Sequence, residues 1–336
     1  MRIAEIGEFG LIDRIASRLP KLGEGVVVGI GDDAAVLRAS DNKYLLTTCD
    51  IQVENVHFVR DQISPQQLGL KSVAIKVSDI ASMGGIPKYL TISLILPKET
   101  SVEYVDGLYE GIGQACELYG TELVGGNMAR SPAGIIVDVF LVGEVETERV
   151  LLRVGARVGD RLLVTGNLGE SAAGLALLLN PGATCAEAHR QRVLEAHLTP
   201  KARLQEGRAI ALSGLATAMI DVSDGTVSDI GHICDMSHVG ARLWAANLPV
   251  SEATLAAARA TGRDARQMAL EGGEDYELLF TAPAERADEL AQQVQQQTGT
   301  PVTVIGEIVP VAEGISLQQA DGTRVPLRRG GWDHFR

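Results

Sequence analysis

Two short stretches of the chain place carboxylates on glycine turns: Gly29-Ile30-Gly31-Asp32-Asp33 and Asp221-Val222-Ser223-Asp224-Gly225. Each follows a run of apolar residues, Val26-Val27-Val28 and Ala218-Met219-Ile220, that reads as a strand. Acids on turns at strand ends lie at the mouth of a sheet, where side chains from distant parts of a chain can converge. Oxygen ligands gathered in this way suit Mg²⁺, a hard cation often held by a few carboxylates plus substrate phosphates. The first expectation is therefore a site that handles a metal and a nucleotide.

Other polar residues sit where burial makes them costly. Ser78-Asp79 falls inside an apolar helical run between Val77 and Ile80, and an acid on a buried face must be paired or metal-bound. Asp50 ends an apparent strand, Tyr44–Cys49, and His57 follows seven residues later. Gly272-Gly273-Glu274-Asp275 and Gly166-Asn167-Leu168-Gly169 each read as turns, and the second could also present backbone N–H groups to a phosphate. Asp32-Asp33 alone fits ordinary turn chemistry. The combination carries the argument. The common phosphate loop GxxxxGK[ST], GxGxxG and HExxH are all absent, which removes several enzyme classes by their usual signatures but not phosphoryl transfer.

The elements that must position these residues follow from pattern. Helical periodicity covers Glu8–Leu19, Leu68–Met83, Val102–Tyr119, Glu170–Leu179, one long stretch from Ala186 to Leu212, and Thr226–Ser237. Strands are expected at Val26–Ile30, Tyr44–Thr48, Tyr89–Leu96, Glu122–Val124 (entering Gly125-Gly126-Asn127), Ile135–Val145, Arg161–Thr165, the segment ending at Asp221, and Tyr276–Thr281. Hairpin strands mixed with helices argue an α+β fold rather than a doubly wound sheet. The pattern restarts near Val150, so two domains are expected, residues 1–148 and 149–336.

With 336 residues and 46% hydrophobic content, two cores are affordable. A formal net charge of −13 argues against duplex nucleic acid and anionic membranes as partners. A polyanionic ligand remains compatible if metal ions neutralise the local acids. The four cysteines show no CxxC spacing, no apolar run reaches membrane-spanning length, and the N-terminus has no signal-peptide pattern, so a cytoplasmic protein is expected.

Taken together, the motifs resemble the thiamine-monophosphate kinases, within the superfamily of aminoimidazole-ribonucleotide synthetases. The resemblance runs nearly end to end: Gly7-Glu8-Phe9, Gly29–Val36, Asp50 with Val53-Glu54 and His57-Phe58, Lys71, Ser78–Gly85, Gly125-Gly126, Arg153–Ala156 with Gly159-Asp160, Val164-Thr165-Gly166, His197–Pro200 with Arg203, Asp221–Gly225, Gly272–Leu278 and Gly331-Trp332-Asp333-His334-Phe335. It implies two α+β domains, the first contributing strands to a barrel across a homodimer. It implies ATP-dependent phosphorylation of thiamine monophosphate to thiamine diphosphate with Mg²⁺. On the same ground, Asp33, Asp50, Asp79 and Asp221 would be catalytic and hold magnesium, joined by Thr48, Cys49, Asn127 and Asp224. Tyr109, Gly126, Asn127, Arg153 and Ser223 would contact ATP, and His57, Glu274 and Trp332 would line the acceptor site.

The chain departs from the family pattern at Asn127, where Asp is usual, at Asn55, where Gly is usual, and at Cys49, where Thr or Ser is usual. Two further readings stand beside the kinase: a relative that binds nucleotide without turnover, and a sister kinase or synthetase with another small acceptor.

Overall fold

The structure, a computed structural model, describes residues 3–18, 20, 22–328 and 330. The first half begins with a helix, α1 (Ile3–Ala16), kinked at Gly7, and continues as β1 (Val26–Val28), β2 (Ala35–Arg38), β3 (Lys43–Val53), α2 (Pro65–Ser82), β4 (Ile86–Leu96), α3 (Val102–Tyr119), β5 (Glu122–Arg130) and β6 (Ile136–Glu146). Its six strands form one sheet in the order β1-β2-β3-β6-β4-β5. The second half adds β7 (Arg161–Thr165), α4 (Glu170–Leu179), α5 (Glu187–Leu198), α6 (Leu204–Ser213), β8 (Ala218–Asp221), α7 (Thr226–Ser237), β9 (Val239–Trp244), α8 (Glu252–Thr261), α9 (Ala265–Glu271), β10 (Leu278–Ala282), α10 (Ala287–Thr298), β11 (Val302–Pro310), β12 (Ile315–Gln318) and β13 (Arg324–Pro326). These strands build a seven-stranded sheet, β13-β12-β9-β11-β7-β10-β8. Both sheets are mainly antiparallel and carry helices, as expected for an α+β chain.

Helix α2 organises the site. It starts earlier than its apolar period suggests, because Ser64 and Gln67 form a reciprocal capping box and Pro65 occupies the first turn. From Leu68 to Ser82 every residue except Leu70 and Asp79 is buried. One side lies on β3 and β6, another on α3, and the C-terminal part meets α6 and β8 of the second half. The crossing with α3 is tight: a Cβ on Gly69 would lie 2.2 Å from the Leu108 carbonyl oxygen, and one on Gly111 2.0 Å from that of Gln66. A larger residue at either position would push the helices apart.

Several expectations need correction. The single helical stretch 186–212 is two helices, α5 and α6, separated at Thr199-Pro200, because proline cannot continue the hydrogen-bond ladder. The strand expected at Glu122–Val124 does not stop at Gly125-Gly126-Asn127, which lies inside β5, paired in parallel with β4. Glycine is required there by proximity, since a Cβ on Gly126 would meet the Ile92 carbonyl oxygen at 2.2 Å. The strands expected at Tyr89–Leu96 and Ile135–Val145 are interior ones, and the edges of the first sheet are β1 and β5. Tyr276 is not in a strand; it has φ +51 and β10 begins at Leu278. Strand β2 and, after residue 238, β9, α8, α9, α10, β11, β12 and β13 are elements beyond those expected from the pattern. Among the described residues, no helix is long and apolar enough to cross a membrane.

Candidate active site

The first carboxylate group gathers where α2 ends against both halves. Asp33 accepts a hydrogen bond from Ser82 Oγ (2.5 Å) and from Arg153 Nε (2.9 Å) and Nη2. Asp32 turns away from solvent and accepts from the N–H groups of Asp33 (2.9 Å) and Arg153 (3.1 Å). Asp79 accepts from Thr48 Oγ1 (2.5 Å) and Lys76 Nζ (2.6 Å), and Lys76 also reaches Asp50 (3.2 Å). Asp221, at the end of β8, accepts from Ser78 Oγ (2.5 Å). Residues 33, 79 and 221 thus converge on one helix end although the sequence scatters them.

The electrostatics of this group are strained. Burial first, then the neighbouring Asp33 charge, lifts Asp32 from the ordinary carboxyl range to about 7. Asp79 is raised to about 6, chiefly by burial, with Lys76 opposing and Asp50 and Asp33 adding to the rise. Asp221 is pushed well up by burial and by the Asp33 and Asp79 charges. Lys76 and Arg153 are both held protonated by these acids. Five carboxylates (Asp32, Asp33, Asp50, Asp79, Asp221) therefore share two cations. The donor set is hard oxygen throughout and under-compensated in charge, the condition that a divalent cation relieves. Asp33, Asp79 and Asp221, with Asp50 beside them, fit Mg²⁺ on that count.

A second acidic point lies at the start of α7. Side-chain ligand atoms of Asp224, Asp229 and His232 all lie within 4.8 Å of one another. Asp229 Oδ2 also accepts from the N–H groups of Ser223 (3.1 Å), Asp224 (3.3 Å) and Gly225 (3.1 Å), so it ties down the turn that carries Ser223 and Asp224. Asp229 and His232 are three residues apart on one helix face behind Asp224, a spacing visible in the sequence.

Beside both groups opens a cavity of about 600 Å³. Asp50, Ser223, Asp224 and Tyr276 belong to its wall, which joins it to the carboxylates. The rest is mostly apolar, including Val56, Phe58, Ile63, Leu175 and Leu179, with His57 and Glu274 among the polar groups. His57 Nδ1 accepts from the Val53 N–H at 3.0 Å, which fixes the ring. Asn55 has φ +66, so the position where the family usually has glycine is a left-handed one that asparagine tolerates. Glu274 has φ +64; burial raises its carboxyl, but Lys71 and His197 outweigh that and hold it below the ordinary range.

The segment from Glu274 to Glu277 gives each acid a different task. Glu274 faces the cavity. Asp275 accepts from the N–H groups of Gly169 (2.6 Å) and Ser171 (3.1 Å) at the start of α4. It therefore occupies the helix terminus that Gly166–Gly169 could have offered to a phosphate. Glu277 binds Arg203 through Nε (2.7 Å) and Nη2 (2.6 Å) and accepts from Thr165 Oγ1 (2.6 Å).

Not every expected residue arrives. Cys49 and Asn127 lie on the outer face of the first sheet, because alternation sends Thr48 and Asp50 toward α2 and Cys49 and Ile51 away from it. The register runs Ile51–Asp138–Ser93–Asn127, which places Asn127 on that outer face and three strands from β3, roughly 14 Å at ordinary strand spacing. Gly126 lies on the same edge strand. Tyr109 is on α3, half-buried against the first-half core, and lines no part of the cavity. Trp332 lies outside the described residues. Lys76 is a participant that no motif singles out, and Asp32, read with Asp33 as a turn acid, joins the group. Lys76 sits between Ile75 and Val77, so the buried-charge argument applied to Asp79 would have found it too.

Comparison with known proteins agrees with this geometry. Residues 31–145 match the family described as AIR synthase related protein, N-terminal domain, and residues 157–317 match its C-terminal domain. A protein named thiamine-monophosphate kinase from Aquifex aeolicus (strain VF5) is 41% identical over 100% of both chains. One of the same name from Salmonella typhimurium is 37% identical over 98% of both. A solved structure described as AaThiL complexed with AMPPCP and TMP superposes with a TM-score of 0.86 at 38% identity, covering 99% of each chain. Full-length identity at this level, together with the two family matches, settles the classification: the chain belongs to the thiamine-monophosphate kinase family.

Proposed function

We propose that this protein transfers the γ-phosphoryl group of ATP directly to the phosphate of thiamine monophosphate, giving thiamine diphosphate and ADP, with Mg²⁺ required. The observation that carries the reading is the contact between the under-compensated carboxylate group and the cavity, which share Asp50, while Ser223 and Asp224, two and three residues past Asp221, also belong to the cavity wall. In the transfer, a bond forms between an acceptor phosphate oxygen and the γ-phosphorus while the bond to the β-phosphate oxygen breaks. Such a reaction between two polyanions depends on positioning and charge neutralisation rather than on a protein nucleophile. Asp33, Asp79 and Asp221 would hold the Mg²⁺ that would supply that neutralisation. The chain's own part is to orient the groups. Arg153 and Ser82 fix Asp33, Thr48 and Lys76 fix Asp79, and Ser78 fixes Asp221. The cavity's apolar wall shields the acceptor end from water, and His57 and Glu274 supply its polar contacts.

The protein acts as a homodimer in this reading. The outer face of the first sheet exposes Tyr89 (51%), Phe140 (42%), Ile51 (40%) and Leu45 (37%), apolar side chains of the kind that a second copy covers. β5 is an edge with its strand exposed along its length. Closure of two such sheets gives Gly126 and Asn127 a place at a shared site. A cytoplasmic location goes with ATP as co-substrate and with four free cysteines. Incubation with ATP, thiamine monophosphate and Mg²⁺ should yield thiamine diphosphate and ADP, and omission of Mg²⁺ should stop it. ATP binding without diphosphate formation would overturn the reading. Light scattering that reports a monomer mass would overturn the dimer.

A further inference from the structure

Lys71 is a buried cation that the phosphoryl-transfer reading leaves without a task. It projects from the middle of α2 with only 1% of its side chain exposed, and its Nζ lies 2.7 Å from Glu274 Oε1. The other carboxylate oxygen of Glu274 lies 3.3 Å from His197 Nδ1 on α5. His197 is itself buried, and the same Nδ1 is 3.0 Å from Ser171 Oγ. An ionised carboxylate can only accept hydrogen bonds. Nδ1 must therefore carry the ring hydrogen if it bonds Glu274, with the Ser171 oxygen as the second acceptor. Two helices, one from each half of the chain, thus hold one carboxylate at both oxygens, with Ser171 behind His197.

The backbone of Glu274 is equally constrained. Its left-handed φ of +64 is held by its own N–H donating to the Ser223 carbonyl oxygen at 2.7 Å. Neither the chain path nor the side chain at 274 is left to adjust when a ligand enters. The side chain nevertheless lines the cavity and is 26% exposed, so it is presented rather than sealed away. A bare salt bridge serving only stability would have no reason to open onto a cavity whose wall is otherwise mainly apolar.

We propose that Lys71 and His197 are positioning residues that lock the Glu274 carboxylate in one orientation, so that the cavity selects an acceptor carrying a positively charged or hydrogen-bond-donating ring alongside its phosphate. This rests on the kinase reading and deepens it: the acceptor's ring, not only its phosphate, is recognised. Lys71 sits two turns of α2 before Ser78 and Asp79, so the residues that steady the acceptor and those that hold the carboxylate group share one rigid element.

The test is a KM comparison with full-length protein. Lys71→Met should raise the KM for thiamine monophosphate about tenfold or more while the KM for ATP stays within about twofold. Glu274→Gln should do the same. The double variant Lys71→Met/Glu274→Gln should match Glu274→Gln alone, because Lys71 acts only through that carboxylate. If Lys71→Met fails to fold with an unpaired acid inside, the double variant removes both charges and carries the comparison. Calorimetric titration with thiamine monophosphate gives the same ranking without turnover. An unchanged acceptor KM in Lys71→Met, an equal rise in both KM values, or additive losses in the double variant would overturn the positioning role. Wild-type protein that binds thiamine monophosphate but forms no diphosphate would overturn the kinase reading and leave the binding ranking to decide the role of Lys71. Wild-type protein that does not bind thiamine monophosphate would overturn both.

Discussion

The carboxylate group at the end of α2 and the acid at Glu274 are both withdrawn from bulk solvent, Glu274 the less so, yet they lie on opposite sides of the ordinary carboxyl range. At Asp32, Asp79 and Asp221 burial and like charge win, and the carboxyls are raised. At Glu274 the buried Lys71 cation and His197 win, and the carboxyl is lowered. The difference is one of stoichiometry. In the first region five acids share Arg153 and Lys76; in the second one acid has a lysine to itself. A region short of cations is built to take them up from solution. A region that brings its own keeps its charge and shape whatever the solution contains.

The largest test of this contrast removes an acid from the crowded region. Asp221→Asn keeps the shape and the Ser78 hydrogen bond but deletes a repelled charge. Turnover should fall by about 10²-fold or more, while metal-free stability should rise by about 1 kcal/mol, read by thermal melting in chelator. A melting temperature that drops instead would mean that Asp221 is a structural anchor and not a strained ligand. Asp79→Ala should likewise abolish turnover without unfolding the chain.

Mg²⁺ itself provides the next test. At a hundred times its Kd, a cation bound only by the folded state stabilises by about 2.7 kcal/mol. Wild-type protein should show this shift, and Asp79→Asn and Asp221→Asn should show much less of it. Lys71→Met should retain it, because its acid lies in the self-sufficient region. Loss of the Mg²⁺ shift in Lys71→Met would erase the distinction between the two regions.

The cation-rich region should show its own pH signature. His197 is lowered from 6.5 to about 4, mainly by burial and then by Lys71. Its folded-state value lies below its unfolded one, so between roughly pH 6.5 and 4 the unfolded chain binds a proton that the folded chain refuses. Stability from this group is therefore complete above about pH 6.5 and is lost as pH falls through that window, by at most about 3 kcal/mol. Denaturant melts of His197→Gln should be flatter over the same window. The smallest effect is expected at Asn127. Asn127→Asp should lower the Mg²⁺ concentration for half-maximal rate if a second copy brings this edge to the metal, and superimposable titrations would place it outside the metal's reach.

Much of the chemistry was legible because buried charge is rare enough to be conspicuous. Asp79 between Val77 and Ile80, and the paired acids after apolar strands, pointed to the right helix and turns. Lys71 was visible only as part of a family motif, and Lys76 escaped altogether, because attention to acids left the cations in the same apolar run unweighed. The strand signal stops at Val124 because Gly125-Gly126 interrupts it; the close approach of Ile92 that demands glycine at 126 is a tertiary fact. The outward direction of Cys49 follows from alternation along β3, whereas the distance of Asn127 from β3 depends on strand order and register, which no local pattern specifies. The break at Thr199-Pro200 was the reverse case, a local signal overridden by the apolar period on either side.

Helix α2 carries Lys71 near its middle and Asp79 near its end, and at ordinary helical rise their eight-residue separation is about 12 Å. That spacing works as a ruler. It fixes how far the acid that greets one end of the acceptor stands from the acids that attend the other, independently of any loop. Deleting or inserting a single residue between 71 and 79 would change the length only slightly but would turn the two ends by about 100° relative to one another. The gauge would then point in two directions, and every individual contact residue could be present while no one molecule spans them.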